Sequence, residues 1–321
     1  MPRFGVARMP LTNRSSWRRS PRVLSCVLAG SGLLLAGCAR STASPVASAG
    51  KLPVVAAENF WGSIASQLGG SKVAVDSIIV NPNTDPHSYE ATASDGAAIA
   101  RSRMAIVNGI GYDGWASKLI AANPASGRVV LDVGKLLGLS EGENPHQWYS
   151  PWSVQRVIAQ IVLDYERLDP KDTAYFERRG AAFQARELAE YNRLRSAIRA
   201  RYGGVPVGYS ESIFQPLGED LGLRLLTPYS FAKAVAEGVD VGAADKQTVD
   251  RQAEERSIKV WVYNSQNVSP DVQRVNQLAR AAHIPITTIT ETLSPPSDTF
   301  EQWQAAQLAS LSAALHRATG R

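Results

Sequence analysis

Short apolar runs alternate with helical stretches twice along this 321-residue chain, and one long helical pattern separates the two sets. Residues 54–57, 73–80, 104–108 and 129–131 read as strands, with helices over 60–68, 95–101 and 152–168. The second set places strands at 205–209, 223–226, 259–263 and 284–289, with helices over 244–255, 271–282 and 297–315. Strands this short, alternating with helices, predict βα units and a mostly parallel sheet in each set. The two sets share this character without any fixed sequence period.

Between them, Asp169-Pro170 opens a helical pattern that Gly203-Gly204 stops. At about 1.5 Å per residue it makes a rod about 50 Å long, more than one small lobe needs. The prediction is an α/β fold of two lobes with mostly parallel sheets, a first lobe over 51–168 and a second over 203–321, joined by a long rigid helix over 169–202. A helix packed within one domain is the alternative.

The N-terminus reads as a targeting segment. Residues 1–22 carry six arginines and no acid, and an apolar run follows to Leu35-Ala36-Gly37-Cys38. The run is too short to span a bilayer and suits a signal-peptide core. The tetrapeptide resembles a bacterial lipobox, which implies cleavage after residue 37 and lipid on Cys38. Residues 38–50, rich in Ser, Ala, Pro and Gly, form a tether of roughly 20 Å r.m.s. span. Removing the six arginines from the 34 basic residues leaves 28 against 29 acids. The basic isoelectric point thus belongs to the signal, and nucleic acid is excluded as a partner. Cys26 leaves with the signal and Cys38 is lipidated, so any metal must be held by nitrogen and oxygen.

Two of the four histidines share a local context. One lies in Thr84-Asp85-Pro86-His87-Ser88-Tyr89-Glu90, the other in Asn144-Pro145-His146-Gln147-Trp148. Proline stiffens the turn before each imidazole, and neutral imidazole is the commonest side-chain metal ligand. His283, at a helix end, and His316, on the C-terminal helix, need only structural roles.

These motifs, over about residues 51–318, resemble the solute-binding lipoproteins of zinc and manganese ABC importers, the ZnuA/TroA/PsaA-like group. The first resembles that family's Asp-Pro-His-x-Tyr-Glu signature, and the second its later Pro/His/Trp motif. The resemblance implies two further ligands. Counting back from Gly222-Leu223 puts Glu211 at the third position, and Thr290-Glu291-Thr292 offers Glu291 at the fourth, where many relatives carry aspartate. Asp298 is a less favoured substitute for Glu291. Asp85, Tyr89 and Trp148 are implied to orient ligands or exclude water.

Two imidazoles and two carboxylates neutralise a dication and suit Zn²⁺ or Mn²⁺, with Fe²⁺ also compatible. The resemblance further implies a permease with a cytoplasmic ATPase as partner, the outer face of the cell membrane as location, and a monomer. Two other readings stay open. A metal-binding adhesin or structural lipoprotein could use the same fold. A secreted metallohydrolase would need an open coordination position, and neither His-Glu-x-x-His nor Gly-x-Ser-x-Gly occurs. A binding protein, not an enzyme, is therefore expected.

Overall fold

The computed structural model describes residues 50–321; residues 1–49, including Cys26 and Cys38, and the side chain of His87 lie outside what it describes. The first sheet contains β1 (Leu52–Glu58), β2 (Val73–Ile79), β3 (Met104–Val107) and β4 (Val129–Asp132), in the order β2-β1-β3-β4. All pairings are parallel; Val54 lies opposite both Val75 and Met104. The inner strands are covered on both faces, which is why β3 reads as the unbroken apolar run Met-Ala-Ile-Val. The crossovers are α1 (Asn59–Gly69), α2 (Ala93–Arg101) and α3 (Gly114–Ala122). Helix α2 starts at a capping box, Thr92 and Asp95 each satisfying the other's backbone N–H. After β4 come the short α4 (Val133–Leu137) and the long α5 (Pro151–Leu168).

The expected single rod is interrupted. It runs as a 3-10 turn (Pro170–Asp172), α6 (Thr173–Ala182), a π-turn (Phe183–Glu187) and α7 (Ala189–Tyr202). The π-turn shifts the helix face, so that Phe183 and Leu188 are both buried. Helix α7 ends at Tyr202, and Gly203-Gly204 stop it where expected.

The second sheet contains β5 (Pro206–Tyr209), β6 (Arg224–Leu225), β7 (Val260–Asn264) and β8 (Ile286–Ile289), ordered β6-β5-β7-β8 and again all parallel. Its helices are α8 (Gln215–Asp220), α9 (Tyr229–Ala236), α10 (Ala243–Glu254), α11 (Pro270–Ala281) and α12 (Phe300–Thr319). One apolar core runs through both halves, from Val54 and Trp61 through Phe176 and Tyr191 to Val207 and Leu311. Two smaller clusters cover the outer faces. Ala57, Val107 and Ala116 form one beside the first sheet, while Phe231, Val249, Ile258 and Trp261 belong to a larger one beside the second. No helix among the described residues is long and apolar enough to cross a membrane.

Candidate metal centre

The loops that carry His87, Glu211 and Glu291 follow the carboxyl ends of β2, β5 and β8, where open parallel sheets bind ligands. His146 sits in the loop between α4 and the 3-10 turn Gln147–Tyr149, completely buried. Its ring lies between Tyr112 and Trp148, edge-on to both at 6.0 and 5.2 Å between centroids. Trp148 is itself stacked on Phe60 at 4.0 Å. Glu211 follows β5 in extended conformation, also completely buried. Glu291 follows β8, in a turn held on several sides. Its own N–H and that of Thr292 donate to Gln266 Oε1, and the Thr290 carbonyl accepts from the Tyr149 hydroxyl.

His146, Glu211 and Glu291 each offer an atom that lies within 4.8 Å of those of the other two. Glu291 Oε1 accepts from Asn264 Nδ2 and Oε2 from the Tyr112 hydroxyl, both at 3.1 Å. Neither oxygen of Glu211 has a hydrogen-bond partner of good geometry among the described residues. Burial pushes its carboxyl well above the ordinary range, and the charge of Glu291 pushes it further. The amides of Asn264 and Asn267 lie near enough to pull it partly back. A buried, unmatched carboxylate beside a second one is costly, and a divalent cation between them and the imidazole removes that cost.

Tyr112 reaches Glu291 from an unusual turn. Gly109, Ile110 and Gly111 all have positive φ, at 71°, 59° and 80°. A β-branched residue there is strained. The turn is held by Asp113, whose carboxylate accepts the Asn108 and Gly109 N–H groups at 2.6 and 2.8 Å. Burial pushes Asp113 up to about 6. Beside it Glu58, buried at the end of β1, is raised well above the usual range by burial and then by Asp113.

Of the residues singled out from the sequence, three meet in this cluster. The backbone of His87 lies in the 3-10 turn Pro86–Ser88. Asp85 accepts from the Ser88 hydroxyl and shares with Glu291 and Asn267 the wall of a cavity of about 200 Å³. The Tyr89 hydroxyl donates to Asp95 at 2.8 Å, tying the His87 loop to the start of α2. Its hydroxyl is pushed up to about 12, by burial first and then by Asp95. Asp298 is not among the clustered residues.

The family described as "Zinc-uptake complex component A periplasmic" (ZnuA) matches residues 54–314. The chain belongs to that family. A "putative metal-binding protein" of Treponema pallidum (strain Nichols) is 27% identical over 192 residues, 54% of this chain and 60% of that protein. The "manganese-binding lipoprotein MntA" of Halalkalibacterium halodurans is 24% identical over 200 residues, 59% of this chain and 64% of its own. The chain thus spans less than two thirds of these relatives. A Mn-bound periplasmic metal binding protein from candidatus liberibacter asiaticus shares the fold. The TM-score is 0.69 at 20% identity, covering 83% of this chain and all of that one.

Sequence reasoning passed over Tyr112, Asn264 and Gln266. Each contacts the Glu291 turn from a distant part of the chain, and no local pattern marks it. The one available signal was the Gly-Ile-Gly run before Tyr112, which demands a special turn.

Proposed function

We propose that this chain captures one divalent transition-metal ion outside the cytoplasm and hands it to an ABC importer. His87 and His146 from the first lobe (51–168) and Glu211 and Glu291 from the second (203–321) hold the ion. The segment 169–202 connects the lobes. The observation that carries the reading is the convergence of His146, Glu211 and Glu291, all buried, with an atom of each within 4.8 Å of the others.

The two carboxylates cancel the ion's charge, and the imidazoles bind in their neutral form. Tyr112 and Asn264 hold Glu291, and Trp148 closes one side against water. The donor set takes zinc tightly by the intrinsic order of affinities, while two carboxylates also admit manganese and iron. The family's zinc description and the relatives named for manganese agree with that pair. Cys38 carries the lipid anchor that keeps the protein, a monomer, at the outer face of the cytoplasmic membrane. There it meets a permease served by a cytoplasmic ATPase. The role is binding, without catalysis.

Calorimetric titration of the chain with zinc and with manganese tests the reading. One ion per chain is expected, with affinity lost in His146→Ala and weakened at pH 5 because protons compete for imidazole. Unchanged zinc affinity in His146→Ala would sink the site. For the anchor, Cys38→Ala is expected to leave the membrane fraction; continued fractionation with membranes would remove that assignment.

A further inference from the structure

Asn144 touches both halves of the cluster with one planar amide. Its Oδ1 accepts the His146 backbone N–H at 3.1 Å and lies 2.8 Å from the His146 Nδ1. The backbone donor decides which end of the amide is oxygen, a choice often open for asparagine. An amide oxygen only accepts, so Nδ1 carries the ring proton and the lone pair is left on Nε2. The other end, Nδ2, donates to the Ser212 carbonyl at 2.8 Å and to Gln215 Oε1 at 3.3 Å. Ser212 directly follows Glu211, and Gln215 begins α8. The oxygen therefore serves the imidazole that follows the first sheet, and the nitrogen serves the loop that carries a carboxylate from the second.

We infer that Asn144 is a positioning residue that couples the tautomer of His146 to the docking of the Glu211 loop. The inference rests on the metal site proposed above. Coordination through Nε2 requires the proton on Nδ1. A proton on Nδ1 is held by the amide oxygen at 2.8 Å, the Ser212 hydroxyl lying farther off at 3.4 Å, and the NH₂ group then faces the Ser212 carbonyl. The opposite tautomer makes Nδ1 an acceptor and favours a flipped amide. The flip sets oxygen against the Ser212 carbonyl, acceptor against acceptor, and strips the His146 N–H of its partner. Metal-ready imidazole and joined loops thus share one rotor. The Tyr112–Glu291 and Tyr149–Thr290 bonds also cross the two halves, but their hydroxyls rotate freely and impose no such choice.

Asn144→Asp separates the two functions. It keeps an acceptor for Nδ1–H and the backbone N–H but removes the donor to Ser212. The full chain, wild type and variant, is compared with and without zinc by hydrogen exchange, alongside zinc affinity and dissociation rate. In wild type, zinc is expected to protect both 144–150 and 211–217. In Asn144→Asp the first segment keeps its protection, the second loses it, and zinc leaves about tenfold faster. Asn144→Leu removes both ends, and affinity falls about 10–100-fold, the usual cost of losing a ligand's hydrogen-bonded support. Wild-type protection of 211–217 in Asn144→Asp overturns the coupling while leaving the metal site standing. Loss of protection in both segments overturns it too, since that marks general loosening. A wild-type chain that binds no zinc, or a His146→Ala chain that binds it unchanged, removes the metal site and the coupling with it.

Discussion

The two sheets have the same strand order, with the second strand of each at the edge and the first beside the third. What they bring to the cluster differs. The first supplies imidazole from a proline-stiffened loop, and the second supplies carboxylates from the residues that follow its strands. Their outer faces differ as well, with a small cluster around Ala116 beside one and a larger one around Trp261 and Ile258 beside the other. A shared topology sets where a ligand can bind, and the loops decide which chemistry meets it there.

The largest test asks whether the two kinds of donor are interchangeable. Glu211→Ala removes oxygen, so manganese, the weaker binder, should fall below calorimetric detection, while zinc persists on three protein ligands and water. His146→Ala removes nitrogen and should cost zinc more than about 100-fold, beyond the range for lost ligand support. Equal losses of both metals in both variants would erase the distinction between the lobes.

The outer faces can be compared by urea denaturation. Ile258 is fully buried in the larger cluster, and Ile258→Ala should cost about 2–5 kcal/mol. Ile120 is only partly buried against the smaller one, and Ile120→Ala should cost about 1 kcal/mol or less. A reversal would mean that the first sheet's thin cover carries more of the stability than its burial suggests.

Acid–base behaviour sharpens the contrast further. The raised pKa of Glu211 lets the metal-free fold keep a proton that the unfolded chain has lost. Its contribution to stability is complete below the ordinary carboxylate pKa and disappears as pH rises through the raised value. Zinc displaces that proton, so the zinc-induced rise in Tm should grow from pH 5 to pH 8, and grow less in Glu211→Gln. A pH-independent rise in wild type would show that no proton leaves.

The smallest effect belongs to Glu58 in the first lobe. Its pKa and that of Asp113 are both raised, so stability again falls as pH rises through the folded values, for Asp113 about 6. Glu58→Gln removes one ionisation. Its Tm should match wild type at pH 5 and exceed it at pH 8. A lower Tm at pH 8 would mean that Glu58 stays charged and paired.

Much of the fold was legible because strand and helix periods are local. All eight strands fell within a few residues of their expected places, and Ser150 and Pro151 open α5 where a helix start was expected. The short helices α3, α4, α8 and α9 escaped, since five to nine residues carry too little periodicity to stand out. The π-turn escaped because Phe183 and Leu188 fit either helical phase until the core they enter is known.

From the sequence alone came two βα sets, a helical connector and stiff Pro-His loops, because proline restriction and hydrophobic period act between neighbours. Glu211 and Glu291 could be chosen from among 29 acids only by resemblance. Their meeting with His146, and the support from Tyr112, Asn144 and Asn264, were decided by the tertiary structure. Those contacts join residues as far as 179 positions apart, which no local sequence pattern can encode.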